Sequence, residues 1–166
     1  MKRFLLGSVI AIFISVIIFF VLLPLEKYVL ESIWQVLPIP GIKQPVWLEN
    51  FISVGIMCLL FSLGCTALWL VAGFFFYRII DWKKAGGRQF WVGLFVIMLL
   101  VIIVAGYFLN LQTQDAGRYI ASFFYAINGL IIYWLTSLLQ SPSNVKFAPF
   151  GSIQLYKVGF INKLLN

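Results

Sequence analysis

Four stretches of this chain are long and apolar enough to cross a lipid bilayer, and together they take up most of its 166 residues. They run from Phe4 to Leu23, Phe51 to Phe76, Phe90 to Phe108 and Tyr119 to Leu139, and none contains Asp, Glu, Lys or Arg. A helix needs about 20 apolar residues to span the hydrocarbon core. Hydrocarbon offers no partner to backbone N–H and C=O groups, so an apolar run placed there must bond internally as a helix. The alternating pattern of barrel strands is missing. The chain therefore reads as an all-α integral membrane protein with four transmembrane helices, the second long enough to tilt. With 63% hydrophobic and 10% charged residues, it lacks the polar surface of a soluble domain and the charge of a disordered one.

The first run follows Lys2 and Arg3, as a signal peptide would. Its apolar length exceeds a signal core and no small-residue cleavage pattern follows, so it reads as a retained helix stopped by Pro24.

Charge sets the orientation. Nine of the twelve Lys and Arg lie in the N-terminus, the middle loop or the C-terminal tail. Four of the five acids, Glu26, Glu31, Glu49 and Asp115, lie in the other two loops. The expectation is a multi-pass protein of the bacterial inner membrane with both termini cytoplasmic. The net charge of +7 then points to anionic lipid headgroups, with Arg78, Lys83, Lys84 and Arg88 facing them, and not to nucleic acid. Residues 1–140 form the transmembrane domain and residues 141–166 a cytoplasmic amphipathic tail.

Between the first two runs, Leu25, Val29, Ile33, Val36 and Leu37 recur at helical spacing, with Glu26, Lys27, Glu31 and Gln35 between them. This predicts a short helix lying in the outer interface. Trp82 and Trp91 are expected near headgroups. In the tail, Pro149 and Gly151 predict a turn, and the apolar residues with three lysines predict a segment lying on the membrane surface or on a partner.

The available chemistry is sparse. There is no histidine, which removes the commonest general base and metal ligand. Cys58 and Cys65 sit in an apolar run as packing residues. With no ionisable residue inside the runs, a proton-coupled carrier and an intramembrane aspartyl protease are both disfavoured. No catalytic set, metal site or cofactor is expected, and the chain reads as a non-enzyme.

The polar residues within the runs remain. Asn128, in the middle of the fourth, requires a hydrogen-bond partner, either in the bundle or on another protein's helix. Gly55, Cys58, Ser62 and Thr66 in the second run, and Ser122, Ala126 and Gly129 in the fourth, are small residues that let helices approach closely, within the bundle or in a homo-oligomer. Asp115 and Arg118 can pair across one turn or present a small polar epitope.

The stretch Tyr107-Phe108-Leu109-Asn110-Leu111-Gln112, followed by Ala116-Gly117, resembles the loop between helices three and four in immunity proteins of pore-forming colicins of the colicin A type. The likeness covers about ten residues by sequence and the whole chain by layout: four spans, cytoplasmic termini, a long first outer loop and a basic inner loop. It implies an inner-membrane protein that binds the membrane-inserted helices of a toxin, with Asn110, Leu111, Ala116 and Gly117 at the matching positions.

Taken together, the expectation is a non-catalytic interaction protein that binds another membrane protein. An immunity or exclusion role against a toxin, phage genome or conjugating plasmid is one form of this. The alternatives are an accessory subunit of an endogenous complex, or an oligomeric channel or pore.

Overall fold

The computed structural model describes residues 2–36, 46–75, 86–109, 117–141 and 148–152. Helix α1 spans Lys2–Ile17, a π-helical turn covers Ile18–Leu22, and α2 continues through Leu23–Val36. Helices α3 (Val46–Phe75), α4 (Gly86–Leu109) and α5 (Gly117–Gln140) complete the bundle. No strand occurs among the described residues. Among the described residues, four helical stretches are long and apolar enough to cross a membrane: Ser8–Val36, Leu48–Gly73, Gly87–Leu109 and Tyr119–Gln140.

The first helix does not stop at Pro24, contrary to the expectation from sequence. Proline has no N–H to donate to the carbonyl four residues back, and its ring crowds that carbonyl. The chain absorbs the defect one turn earlier, where the N–H of Leu23 bonds the carbonyl of Ile18, five residues away. This π turn lets the helix continue. The segment expected as a separate interfacial helix is thus the second half of one helix. Leu25, Val29, Ile33 and Val36 are exposed, while Leu30 is buried and Glu26 half-buried.

Helix α5 is the hub, packed against α1, α3 and α4, while α2 leans on α3. Side chains along α5 and at its end bond to α3 and α4. Tyr125 Oη donates to the Phe51 carbonyl (3.0 Å) and Tyr133 Oη to the Trp91 carbonyl (3.0 Å). The hydroxyls of Thr136 and Thr66 meet at 3.1 Å. Trp91 Nε1 donates to Ser137 Oγ (2.9 Å), and Trp69 Nε1 to Ser141 Oγ (2.8 Å). The Phe51–Tyr125 and Thr66–Thr136 pairs make α3 parallel to α5, and Trp91 beside Ser137 with Gly106 beside Ser122 makes α4 antiparallel to both, the up-down order expected of four consecutive spans. Trp91 is fully buried within a ring cluster with Phe95 and Tyr133, so it is not a surface anchor.

The outer surface is apolar, and several small polar side chains are buried beside the hydrophobic core. Ser62, Thr66, Ser122, Asn128, Thr136 and Ser137 are buried, while Phe13, Phe20, Leu68, Leu100 and Phe123 point outward. Gly129 shows how closely the helices approach. A Cβ there would lie 2.6 Å from Ile102 Cδ1 on α4 and 2.7 Å from Ser62 Oγ on α3.

The described part of the tail, residues 148–152, folds back on the bundle. Gly151 takes a positive φ of 82°, and the N–H of Ser152 bonds the Pro149 carbonyl at 3.3 Å. Trp134 Nε1 donates to the Phe150 carbonyl (2.8 Å), and the Phe150 ring stands edge-on to Trp91. Here the tail completes the core at the end of α4 and α5. Apart from Ser141, the rest of it lies outside the described residues.

Candidate functional site

The site is built from two residues 102 apart in sequence. Asn128 is the mid-point of α5, about 17 Å from either end at 1.5 Å per residue. Its side chain is fully buried, and Nδ2 donates to Glu26 Oε2 at 2.7 Å. Glu26 stands on the first turn of α2, two residues beyond Pro24, so the π turn directs it into the bundle. By sequence Glu26 falls in an outer loop. In the fold it lies level with the middle of α5.

The pair is incompletely satisfied. Asn128 Oδ1 is buried with no hydrogen-bond partner among the described residues. Among the same residues Glu26 has no ion-pair partner, since the one described ion pair joins Lys27 to Glu31 at 3.6 Å. The site thus holds one carboxylate supported by a neutral amide, with a second acceptor oxygen behind it. Such a set can receive a donor-rich cation.

The other residues singled out from sequence fall in several places. Cys58, Ser62 and Thr66 are buried, with Ser62 beside Gly129 and Thr66 against Thr136. A Cβ on Gly55 would meet Leu23 and Tyr125. Ser122 abuts Gly106, and Ala126 is half-buried beside a groove between α4 and α5. Arg88 is exposed, its guanidinium carbon 4.8 Å above the Phe150 ring. Gly117 and Arg118 open α5. Asn110, Leu111, Asp115, Ala116, Arg78, Lys83 and Lys84 lie outside the described residues, so the resembling loop and most of the basic loop do too.

The sequence did carry a signal for the α5 hub. Ser122, Tyr125, Asn128, Gly129, Tyr133, Thr136 and Ser137 recur every three or four residues, which marks one face of a helix. No protein family, curated protein or solved structure matches the chain.

Proposed function

We propose that this chain is a multi-pass protein of the inner membrane, with both termini cytoplasmic, whose task is to bind another membrane protein and not to catalyse a reaction. The observation that carries the reading is Glu26, half-buried at the mid-level of α5, with a neutral partner and no counter-charge among the described residues. In a bilayer it lies near the mid-plane, where an acid on a helix costs roughly 2.5–3.5 kcal/mol on insertion scales. Acids at that depth pair with another group and mark functional contacts. Free cations do not reach that depth unaided, so the fitting ligand is a Lys or Arg on a partner's transmembrane helix. An immunity or exclusion role is one form of this reading, supported by the loop from Tyr107 to Gly117. An accessory subunit is the other, and both use the same contact. A pore lined by the small residues of α3 is less favoured, since Cys58, Ser62 and Thr66 are buried within the monomer.

The test is affinity capture from the native membrane with the wild type and with Glu26→Gln. Glutamine keeps an acceptor for Asn128 and removes only the charge. We expect the wild type to capture a membrane partner with a basic residue in a span, and Glu26→Gln to lose it while melting like the wild type. Charge exchange, with Glu26→Lys against an acidic replacement in the partner, should restore capture. Equal capture by Glu26→Gln overturns the reading.

A further inference from the structure

Asn128 Oδ1 is a buried acceptor with no donor among the described residues, on a side chain with no exposure at all. An acceptor left open in this way loses its water and gains nothing in return, so a donor is expected there. The hydroxyls along the same face of α5 are spent. Tyr125 Oη donates to the Phe51 carbonyl and Tyr133 Oη to the Trp91 carbonyl. Ser62 Oγ, beside Gly129, donates to the Cys58 carbonyl. What remains is the group that Asn128 already touches, since its Nδ2 donates to Glu26 Oε2 at 2.7 Å. A carboxylate can only accept. A protonated carboxyl carries one O–H, so it can donate to Oδ1 while its other oxygen goes on accepting from Nδ2.

The charges around the pair favour the same state. An acid away from water is neutral unless a cation answers it. The elements around Glu26 bring no free cation to its level. Between Phe4 and Leu22, α1 and the π turn carry no ionisable residue. Helix α3 carries Glu49 in its first turn, then only the thiols Cys58 and Cys65. Helix α5 brings Tyr125 and Tyr133, whose hydroxyls are bonded as above, with Arg118 ten residues from Asn128, about 15 Å along the axis. Helix α4 carries Arg88 and Tyr107 near its two ends. On α2 itself, Tyr28 is exposed, and Lys27, about 100° further round, is paired with Glu31 at 3.6 Å.

We infer that Glu26 and Asn128 form a proton-binding site before a partner arrives. Glu26 holds a proton on the oxygen not bonded to Nδ2 and donates it to Asn128 Oδ1, closing a ring of two hydrogen bonds between acid and amide. The proton takes the place of the cation that a partner would bring, so the two exclude each other. On capture the Glu26 O–H bond breaks, the proton leaves to water, and the carboxylate stays to pair with the cation. That exclusion deepens the reading proposed above and rests on it. The proton itself rests only on the pair.

The test reads the carboxyl directly, on the full chain alone in nanodiscs at neutral pH. Infrared spectra with isotope-labelled glutamate separate it from the lipid esters. The chain has three glutamates, Glu26, Glu31 and Glu49. We expect the C=O stretch of one neutral glutamic acid. It should vanish in Glu26→Gln and persist in Glu31→Gln and Glu49→Gln, which assign it by elimination if Glu26→Gln does not fold. Asn128→Leu should move it to higher frequency, because the C=O loses its amide donor. Melting supplies a second readout. The native chain holds the proton and the unfolded chain gives it up to water, so this contribution is present at low pH and lost as pH rises through the native ionisation. The wild type should therefore lose stability relative to Glu26→Gln as pH rises, by up to about tenfold in the folding equilibrium per pH unit. Carboxylate bands alone in the wild type overturn the inference and leave the partner reading standing. A band unmoved by Asn128→Leu overturns the acid–amide ring. A neutral-acid band together with equal partner capture by Glu26→Gln supports the proton site and overturns the partner reading.

Discussion

Asn128 Nδ2 donates to Glu26 Oε2 at 2.7 Å, joining the mid-point of α5 to the turn that follows Pro24. The bond ties the first helix to the hub of the bundle through a side-chain pair that no short-range pattern specifies. It also leaves Asn128 Oδ1 buried and unpaired among the described residues. The packing role of this pair and the recognition role proposed for Glu26 can be separated by choosing which group is removed.

Asn128→Leu strands the Glu26 carboxylate and should destabilise the bundle by about 1–3 kcal/mol, the penalty of a buried group left without its partner. Glu26→Leu together with Asn128→Leu removes both groups and should recover most of that loss. Thermal unfolding in detergent, run as a double-mutant cycle, should give a coupling of about 0.6–1.7 kcal/mol, the range found between membrane helices. Additive effects would show that the two groups do not interact.

Gly129 tests the packing around the hub. Gly129→Ala drives a methyl group against Ile102 and Ser62, at 2.6 and 2.7 Å. Overpacking of this kind costs roughly 1–3 kcal/mol. Ile102→Val removes the Cδ1 atom that is hit first, so adding it to Gly129→Ala should return part of the stability. A melt in which Gly129→Ala matches the wild type would show that α3 and α4 do not close on α5 at this level.

Pro24 sets the direction of Glu26. In Pro24→Ala the new N–H can bond the Phe20 carbonyl, which favours ordinary α-helix over the π turn. Loss of the extra residue in that turn rotates α2 relative to α1 by about 100°, one residue's share of a turn. Glu26 then leaves Asn128. The expected result is a better local helix former in a less stable protein. The Glu26–Asn128 coupling measured by the double-mutant cycle should be present when Pro24 is kept and vanish in the Pro24→Ala background. Equal coupling in both backgrounds would overturn this account of the π turn.

These variants also mark what the sequence discloses. The four helices are legible because an uncharged run of about 20 residues has few other folded solutions, and charge-free stretches need no register to be recognised. The turn at Pro149–Gly151 is legible because glycine accepts a positive φ and proline ends a helix. The side on which Glu26 emerges is not. A π turn shifts the phase by one residue, and Pro24 reads in the sequence as a stop and not as such a shift, so Glu26 reads as a loop residue while the fold turns it toward Asn128. Trp91 is a second case. Its place in the core depends on Ser137 and Tyr133, more than 40 residues away, and an indole beside basic residues looks like a surface anchor until those contacts exist.

The tail gives the last prediction. The Phe150 ring lies edge-on to buried Trp91, its carbonyl accepts from Trp134, and Arg88 stands over the same ring. Removing residues 148–166 takes away the Phe150 acceptor and one wall of the Trp91 cluster, while the four long helices keep their hydrophobic lengths. Membrane insertion should therefore persist, because each span satisfies its backbone within itself. The tryptophan emission should shift to the red and become more accessible to an aqueous quencher, and the melt should fall. Phe150→Ala in the full chain isolates the ring contact. It should lower stability by less than truncation does, since the bond from Trp134 goes to the backbone and survives. Emission unchanged by truncation would mean that the tail covers neither tryptophan, and failure of the truncated chain to insert would make the tail a requirement of assembly.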